Sequence, residues 1–425
     1  MNVIVSAKFS VSGAVFQYTS NIAIASTGYS MGWTAPINSK LKTNSTDNPL
    51  GAPASDDEIA WMGSLLNIGA MLGPFIGGFA ASKVGRKWGL LSSTVPLLVG
   101  WILAAAASNM AFLYACRIFW GIAVGMLFTI SPMYCAEIAT DDSRGALGSF
   151  LQMFITVGFL LVYGIGPSAS YGAVAYVGIA FVVVFAASFF FMPETPTYHL
   201  LKEDREAAAQ CLCTIRGKTR SGVEAELNVI AADVAASMEK TATAFYISSA
   251  LVFFQQFSGI NAVLFYMTDI FEASQSGLNP DTATIIIGAV QTLLGTFFLL
   301  QSMDSPVVPN ISFLPVMSLV LFIVTYCWGL GPLPWAVMSE LFPIEVKAVA
   351  SPIATAFCWI LSFLVTKFFP TISTSIGRHV GFYIFAVCCV CAFFFTLFIV
   401  PETKGKSFQE IQEMLGEEKR KPEKA

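Results

Sequence analysis

Uncharged amide and hydroxyl side chains stand inside a long apolar run at residues 253–266, FFQQFSGINAVLFY. Such a run is typical of a helix that crosses a bilayer, where an unpaired amide is costly. Gln255, Ser258 and Asn261 follow at i, i+3 and i+6, so they share one broad face of a continuous helix, and Gly259 allows the backbone to bend. Many donors and acceptors without charge suit a neutral ligand rich in hydroxyl groups. Such amides also hold neighbouring helices together, and these residues alone leave both interpretations open.

The composition of the chain is typical of a membrane protein. Its 425 residues are 55% hydrophobic and only 12% charged, with a mean hydropathy of +0.68, whereas soluble domains carry about 25% charged residues. We therefore predict an all-α polytopic membrane protein. The sequence contains no GxxxxGK[ST] phosphate-binding pattern and no metal-ligand spacing of cysteines, and its two histidines lie far apart. We expect neither an enzyme nor a cofactor or metal site.

Eleven apolar runs of about 20 residues are long enough to cross the hydrocarbon core. Six precede a polar stretch and five follow it; they are residues 9–36, 59–81, 88–107, 111–133, 145–167, 171–192, 245–271, 282–300, 313–339, 348–370 and 381–400. The first is unusually polar, and we expect it to line a cavity. The polar stretch predicts short amphipathic helices at residues 203–215 and 223–238. The expected organisation is an N-terminal six-helix bundle (1–200), a linker (201–240), a C-terminal bundle (241–400) and a tail (401–425).

Clusters of cations predict the orientation of these spans. Lys83, Arg86 and Lys87 lie between the second and third runs, and the linker carries six further cations. The positive-inside rule places both segments in the cytoplasm. The short loops on the opposite side, at residues 108–109 and 168–170, carry no cation. We expect a multi-pass protein of the plasma membrane with a cytoplasmic linker and with both termini cytoplasmic.

Several segments in order resemble motifs of the sugar porters of the major facilitator superfamily. They are the QQxSGxN pattern at 255–261, the loop GGFAASKVGRK at 77–87, Arg117, Glu137 with Arg144, PETP at 193–196, GPLPW at 331–335 and PETKG at 401–405. One such segment alone would be read as a solvated boundary charge; the ordered set indicates the family. The segment 401–415 is most similar to the arthropod trehalose-transporter subgroup. The resemblance implies two helical bundles around a central cavity and facilitative transport of a sugar, trehalose or a hexose, by alternating access.

The same resemblance implies which residues bind sugar and which control the inner gate. The implied sugar site consists of amides and one indole: Gln152, Gln255, Gln256, Asn261, Gln291 and Trp335. The implied inner ion-pair network holds the outward-open state and consists of Arg86, Arg117, Glu137, Arg144, Glu194, Glu340 and Glu402. Cys358 stands where the family often has an amide, so we assign it no binding role. Proton-coupled members carry an aspartate in the first helix; Ser30 at the matching position cannot titrate, so transport without protons is expected.

One part of the family pattern is missing, because Leu300 runs directly into residues 301–306 without the second basic loop and the ninth span. This gap supports a second hypothesis, a non-transporting sugar sensor or a defective isoform. The lysine-rich tail requires the last three spans to keep the family orientation, so we expect residues 282–300 to be tilted, kinked or re-entrant. Sequons at Asn44 and Asn310 predict glycosylation. The expected partners are a sugar and the lipid bilayer, with no nucleic acid, and the protein is expected to be a monomer.

Overall fold

The structure, a computed structural model, describes residues 11–235, 241–260, 314–376 and 378–403, together with residues 406, 410, 411, 414 and 415. These residues form helices and no strand. In chain order the helices are α1 (Val11–Gly32), α2 (Thr34–Leu41), α3 (Asp56–Lys83), α4 (Arg86–Ser92), α5 (Thr94–Ala105), α6 (Met110–Ile138), α7 (Asp141–Ile165), α8 (Tyr171–Phe189), α9 (Pro196–Leu201), α10 (Arg205–Arg216), α11 (Arg220–Ala235), α12 (Thr241–Gln256), α13 (Leu314–Trp328), α14 (Leu333–Leu341), α15 (Ile344–Ser375) and α16 (Arg378–Ile399).

Six helical segments of the described residues are long and apolar enough to cross a membrane. They are Asp57–Lys83, Arg86–Ala105, Met110–Ile138, Tyr171–Phe189, Val349–Phe368 and His379–Ile399. α7 adds a shorter apolar segment, Leu151–Ile165. The prediction of an all-α polytopic membrane protein is therefore confirmed. The count of eleven spans stays a prediction, since residues 282–300 lie outside the described residues.

Glycines bring α3 and α6 into backbone contact. A Cβ atom added to Gly69 would lie 2.2 Å from the carbonyl oxygen of Ile118, and one added to Gly121 would lie 2.1 Å from that of Leu66. Any side chain at these positions would force the helices apart. Membrane helices gain most of their association energy from such close van der Waals packing, because lipid offers no hydrophobic driving force between helices. This pair therefore forms a rigid part of the first bundle.

The helix that carries the amide side chains is interrupted, although the sequence predicted a continuous helix there. α12 ends at Gln256, and Gly259 has φ +89°, which a side chain would strain. The bend expected at Gly259 is present, but Gln255 and Ser258 do not share the face of one regular helix, so that expectation is wrong. The Ser258 hydroxyl instead donates 2.7 Å to the carbonyl of Gln255 at the helix end. Asn261, the third member of the predicted face, lies outside the described residues.

A second break divides the span predicted at residues 313–339 into α13 and α14. The helices are separated at Gly329–Pro332, within the proline-containing segment in which a hinge was expected. In a continuous helix the N–H of Pro334 would bond the carbonyl of Leu330, but proline has no N–H. The freed carbonyls must find other donors.

The described residues gather into two compact units. The first contains the described parts of Met1–Phe245, Trp335–Ala356 and Pro401–Ala425, and the second contains the described parts of Tyr246–Pro334 and Phe357–Val400. The first unit includes both predicted linker helices, which are present as α10 and α11. They pack on each other through a small apolar core, formed by Ala208, Ala209, Leu212, Val223 and Leu227.

Candidate functional site

An amide pair at the end of α12 is the centre of the polar interior of the second unit. Gln255 and Gln256 are only 1% and 6% exposed. The Nε2 of Gln255 donates to the carbonyl oxygens of Leu330 and Gly331, both at 2.9 Å. These are carbonyls of the break between α13 and α14, and Leu330 is the residue whose helical partner would have been Pro334. Gln255 thus donates to the carbonyl of Leu330 in place of the backbone N–H that Pro334 lacks.

The acceptor side of Gln255 is much less engaged than its donor side. Its Oε1 receives Gln256 Nε2 at 3.4 Å and the Cys358 thiol at 3.8 Å, both long contacts. Gln256 Nε2 also donates to Cys358 Sγ at 3.0 Å, and sulfur is a weak acceptor. The side chain of Gln255 also hydrogen-bonds the buried Tyr326 hydroxyl. The described side-chain partners in this cluster are therefore all neutral, which suits an uncharged, hydroxyl-rich ligand.

Cys358 is the contact that the sequence did not reveal. It was given no role because it stands where the family often has an amide, yet its buried thiol touches both glutamines. Its position in an apolar run offers no local signal, since most cysteines in such runs are small core residues. Only the approach of α15 to α12 makes it part of the cluster.

The other predicted sugar-binding residues are placed as follows. Gln152 is half-buried in α7, where its carbonyl accepts the Thr156 hydroxyl at 3.0 Å. Trp335 is 3% exposed in α14, and its ring lies edge-on to Phe128 with centroids 5.0 Å apart. Asn261 and Gln291 lie outside the described residues. Their roles in sugar binding stay predictions.

A buried ion pair joins α4 to α6 in the first unit. The guanidinium of Arg86 donates from Nε and Nη2 to Glu137 Oε1 at 3.1 and 3.0 Å, and both side chains are nearly inaccessible. The second carboxylate oxygen of Glu137 accepts the Thr195 hydroxyl at 2.6 Å. Arg86 also lies over the ring of Tyr198, 5.6 Å from its centroid. Thr195 and Tyr198 were not predicted, because they gain these roles only when the segment after α8 folds back on α4.

Glu194 binds the main chain at the start of α4. Its carboxylate accepts the backbone N–H groups of Arg86 and Lys87, at 3.0–3.1 Å. Gly85 makes this possible, since it has φ +104° and a Cβ there would lie 2.2 Å from a Glu194 oxygen. Burial raises the pKa of Glu194, while its bonds to the N–H groups of Thr195 and Lys87 oppose that rise. The structure thus brings Arg86, Glu137 and Glu194 together, while their role as an inner gate stays a prediction.

Arg117 does not belong to this cluster, which corrects the sequence expectation. It lies near the start of α6 whereas Glu137 is in its last turn, and 20 helical residues span about 30 Å. Its guanidinium donates to three carbonyl oxygens, those of Ser30 (3.0 Å), Met62 (3.0 Å) and Gly63 (3.5 Å). Arg117 therefore ties α1, α3 and α6 together. The motif alone could not reveal this, because a buried arginine can be satisfied by carbonyls as well as by carboxylates.

The remaining network residues are dispersed along the chain. Arg144 is in the first turn of α7, with its side chain outside the described part; Glu340 is buried in α14; Glu402 is exposed after α16. Arg216 of α10 is an unpredicted contact at the end of α6. It donates to the carbonyls of Ile138 and Ala139 at 2.8 and 3.2 Å, where α6 ends.

The structure describes one of the two predicted glycosylation sites. Asn44 is exposed in the loop between α2 and α3. The neighbouring Asn48 holds that loop, since its Nδ2 donates to the carbonyls of Leu41, Thr43 and Ala52 at 3.0 Å. Asn310 lies outside the described residues.

Comparison with known proteins agrees with this architecture. The sequence model of the family described as "Sugar (and other) transporter" matches residues 9–305 and 291–415. The facilitated trehalose transporter Tret1 of Bombyx mori is 31% identical over 428 residues, covering 91% of this chain and 83% of that protein. Tret1 of Apis mellifera ligustica is 30% identical over 430 residues, covering 91% of this chain and 84% of that protein.

Among solved structures, the proton:xylose symporter XylE of the major facilitator superfamily, bound to 6-bromo-6-deoxy-D-glucose, is similar with a TM-score of 0.80 at 21% identity. The alignment covers 96% of this chain and 100% of that structure. A partially occluded inward-open XylE structure gives a TM-score of 0.72 at 22% identity, with 94% of this chain covered. At these identities the likeness establishes the fold alone. With the family match along nearly its whole length and the major facilitator fold, the chain belongs to the sugar transporter family.

Proposed function

We propose that the protein is a facilitative transporter of a neutral sugar, trehalose or a hexose, that works by alternating access and performs no catalysis. The similar proteins with 30–31% identity are facilitated trehalose transporters. They favour transport over the alternative hypothesis of a non-transporting sensor or a defective isoform.

The main support for this proposal is the uncharged polar interior of the second unit. Among its described residues, the buried polar side chains are all neutral: Ser248, Gln255, Gln256, Ser258, Ser318, Thr325 and Ser362. A charged substrate would require a counter-charge in such a buried site, because an unpaired charge is expensive there. A polyhydroxylated neutral molecule requires amides and hydroxyls alone. We infer that Gln255 and Gln256 bind sugar, and Gln152, Asn261, Gln291 and Trp335 are the further proposed sugar ligands.

The surroundings of Arg117 support transport without protons. Its described partners are carbonyl oxygens, and the hydroxyl of Ser30 donates to the carbonyl of Thr27 at 2.8 Å. A proton-coupled cycle needs a group at this place that changes its charge, which serine does not do. Sugar should therefore move only down its own gradient.

The inner cluster of Arg86, Glu137 and Glu194 supports alternating access. It connects α4, α6 and the segment after α8 by hydrogen bonds that a rearrangement of the inner end would have to break. We infer that the cluster holds the transporter closed toward the cytoplasm. On the positive-inside rule this end, with the linker and the tail, is cytoplasmic, and the protein is monomeric in the plasma membrane. Glycosylation mapping at Asn310 with protease access to the tail tests this orientation; an unmodified Asn310 with an externally cleaved tail would contradict it.

Transport by purified protein in liposomes tests the function. We expect saturable uptake of labelled trehalose or D-glucose down its gradient, faster when unlabelled sugar is present inside. A pH electrode should record no sugar-induced proton uptake, and a protonophore should leave the rate unchanged. Uptake no faster than in protein-free liposomes would contradict transport, whereas proton uptake coupled to sugar would contradict only the facilitative mechanism.

A further inference from the structure

Asn21, near the middle of α1, has a completely buried side chain that makes no hydrogen bond to the described residues. Its exposure is 0%, and neither Nδ2 nor Oδ1 has a partner in the part of the chain that the structure describes. Among its polar neighbours on the same helix, the buried Ser26 hydroxyl also lacks a described partner, whereas Ser20 and Thr27 have one. The Ser20 hydroxyl lies 3.6 Å from Cys135 Sγ, and the Thr27 hydroxyl donates to the carbonyl of Ala23 at 2.9 Å. Asn21 thus leaves both polar atoms of a carboxamide without a described partner, whereas Ser26 leaves a single hydroxyl.

An asparagine carboxamide in mid-helix cannot form its hydrogen bonds with its own helix. Serine and threonine hydroxyls rotate onto the carbonyl three or four residues earlier, as Thr27 does. An asparagine has two N–H donors and a two-lone-pair oxygen, and the backbone around it in mid-helix is already paired. Buried polar groups are almost always bonded to something, since leaving them unpaired costs the full desolvation penalty. A partner from outside the chain is the direct way to meet all three needs.

Asn21 shares a face of α1 with residues that pack closely on α7. Asn21 belongs to the series 21, 25, 28 and 32, which occupies one face of α1. On this face a Cβ added to Gly28 would lie 2.1 Å from the carbonyl of Ile155, and one added to Gly158 would lie 2.1 Å from that of Ala25. No side chain would fit at these two positions, so α1 and α7 are closely packed along this face. The predicted sugar ligand Gln152 lies on α7, one turn before Ile155.

We propose that Asn21 is a sugar-binding residue that receives and donates hydrogen bonds to substrate hydroxyls. A carboxamide presents a donor and an acceptor side by side, which matches two adjacent hydroxyl groups of a sugar. Its burial is no objection, since Gln255 is enclosed to the same degree, at 1% exposure. The inference rests on the proposed sugar transport and adds to it a ligand in α1.

Thermal unfolding of the purified protein with and without trehalose and D-glucose tests the assignment. In Asn21→Leu the sugar-free protein should melt at a higher temperature than the wild type, because an unpaired polar group has been replaced by an apolar one. Its affinity for sugar should nevertheless fall at least tenfold, and in liposomes the KM should rise accordingly. Asn21→Ser, whose hydroxyl can bond its own helix, should also lose affinity and provides a folded variant if leucine does not fit.

Asn48→Ala is the matched control, because Asn48 makes three hydrogen bonds to loop carbonyls. It should melt at a lower temperature but bind sugar with unchanged affinity. If both Asn21 variants bind sugar within twofold of the wild type, the residue holds a structural water only and the inference is overturned. If the wild-type protein itself neither binds nor transports either sugar, it is the proposed function that fails.

Discussion

Removal of the Gln255 carboxamide should weaken both the helix break and the uptake of sugar. In Gln255→Ala the carbonyls of Leu330 and Gly331 each lose a donor at 2.9 Å. A buried acceptor left unsatisfied costs about 1–3 kcal/mol, so the two together cost about 2–6 kcal/mol unless water enters. Because Leu330 is fully buried, we expect a measurable loss of thermal stability.

The effect on transport follows from the acceptor side of the same group. If sugar hydroxyls donate to Oε1, loss of these hydrogen bonds removes about 1–3 kcal/mol of binding free energy. A change of about 1.4 kcal/mol corresponds to a tenfold change in affinity. Uptake measured below saturation should therefore fall tenfold or more. The assay is uptake of labelled sugar into liposomes that contain equal amounts of folded protein, combined with melting temperatures of the same preparations.

Ser258→Ala is the control for this experiment. It removes one hydrogen bond to the Gln255 carbonyl at the end of α12 but leaves the amide cluster intact, so uptake should stay within about twofold of the wild type. Unchanged uptake by folded Gln255→Ala would refute the assignment of Gln255 to the sugar site. A loss of stability with an unchanged KM would show that the residue only braces the break between α13 and α14.

Three further predictions concern the first unit. Glu137→Gln leaves the buried Arg86 without its counter-charge, so we expect a loss of about 3–5 kcal/mol in unfolding free energy; a loss below about 1 kcal/mol would show that the pair is not needed for stability. Burial acts to raise the pKa of Asp47, but its hydrogen bonds to Lys40 and to a backbone N–H lower it overall. This contact therefore stabilises the loop between α2 and α3 above about pH 4 and is lost as pH falls through the lowered pKa, so Asp47→Asn should flatten the acid side of the melting-temperature profile. A profile parallel to the wild type would contradict that. Exposed Asn44 should carry a glycan, and Asn44→Gln should abolish the mobility shift caused by an endoglycosidase; a shift that persists would exclude this site.

Local patterns in the sequence were sufficient for the class of protein and for many of its helices. Hydropathy predicted α3, α6, α8 and α16 to within a few residues, because a span must be apolar over a length fixed by the bilayer. A bend at Gly259 and a hinge in the segment that includes Pro332 were also predicted from the sequence. Backbone freedom in the one case and a missing N–H in the other act within a few residues, so no tertiary information is required.

Only the tertiary structure decided which groups satisfy one another. Gln255 meets carbonyls 75 and 76 residues further along the chain, and Arg117 meets the carbonyl of Ser30, 87 residues earlier. A sequence pattern shows that a buried amide or guanidinium needs partners, but carbonyls, carboxylates and ligands can all fill that need. The choice among them depends on which helices pack together and at what depth. For the same reason Asn21 looked like one polar residue among several in α1, and its lack of a partner emerged only when the packing of α1 on α7 was known.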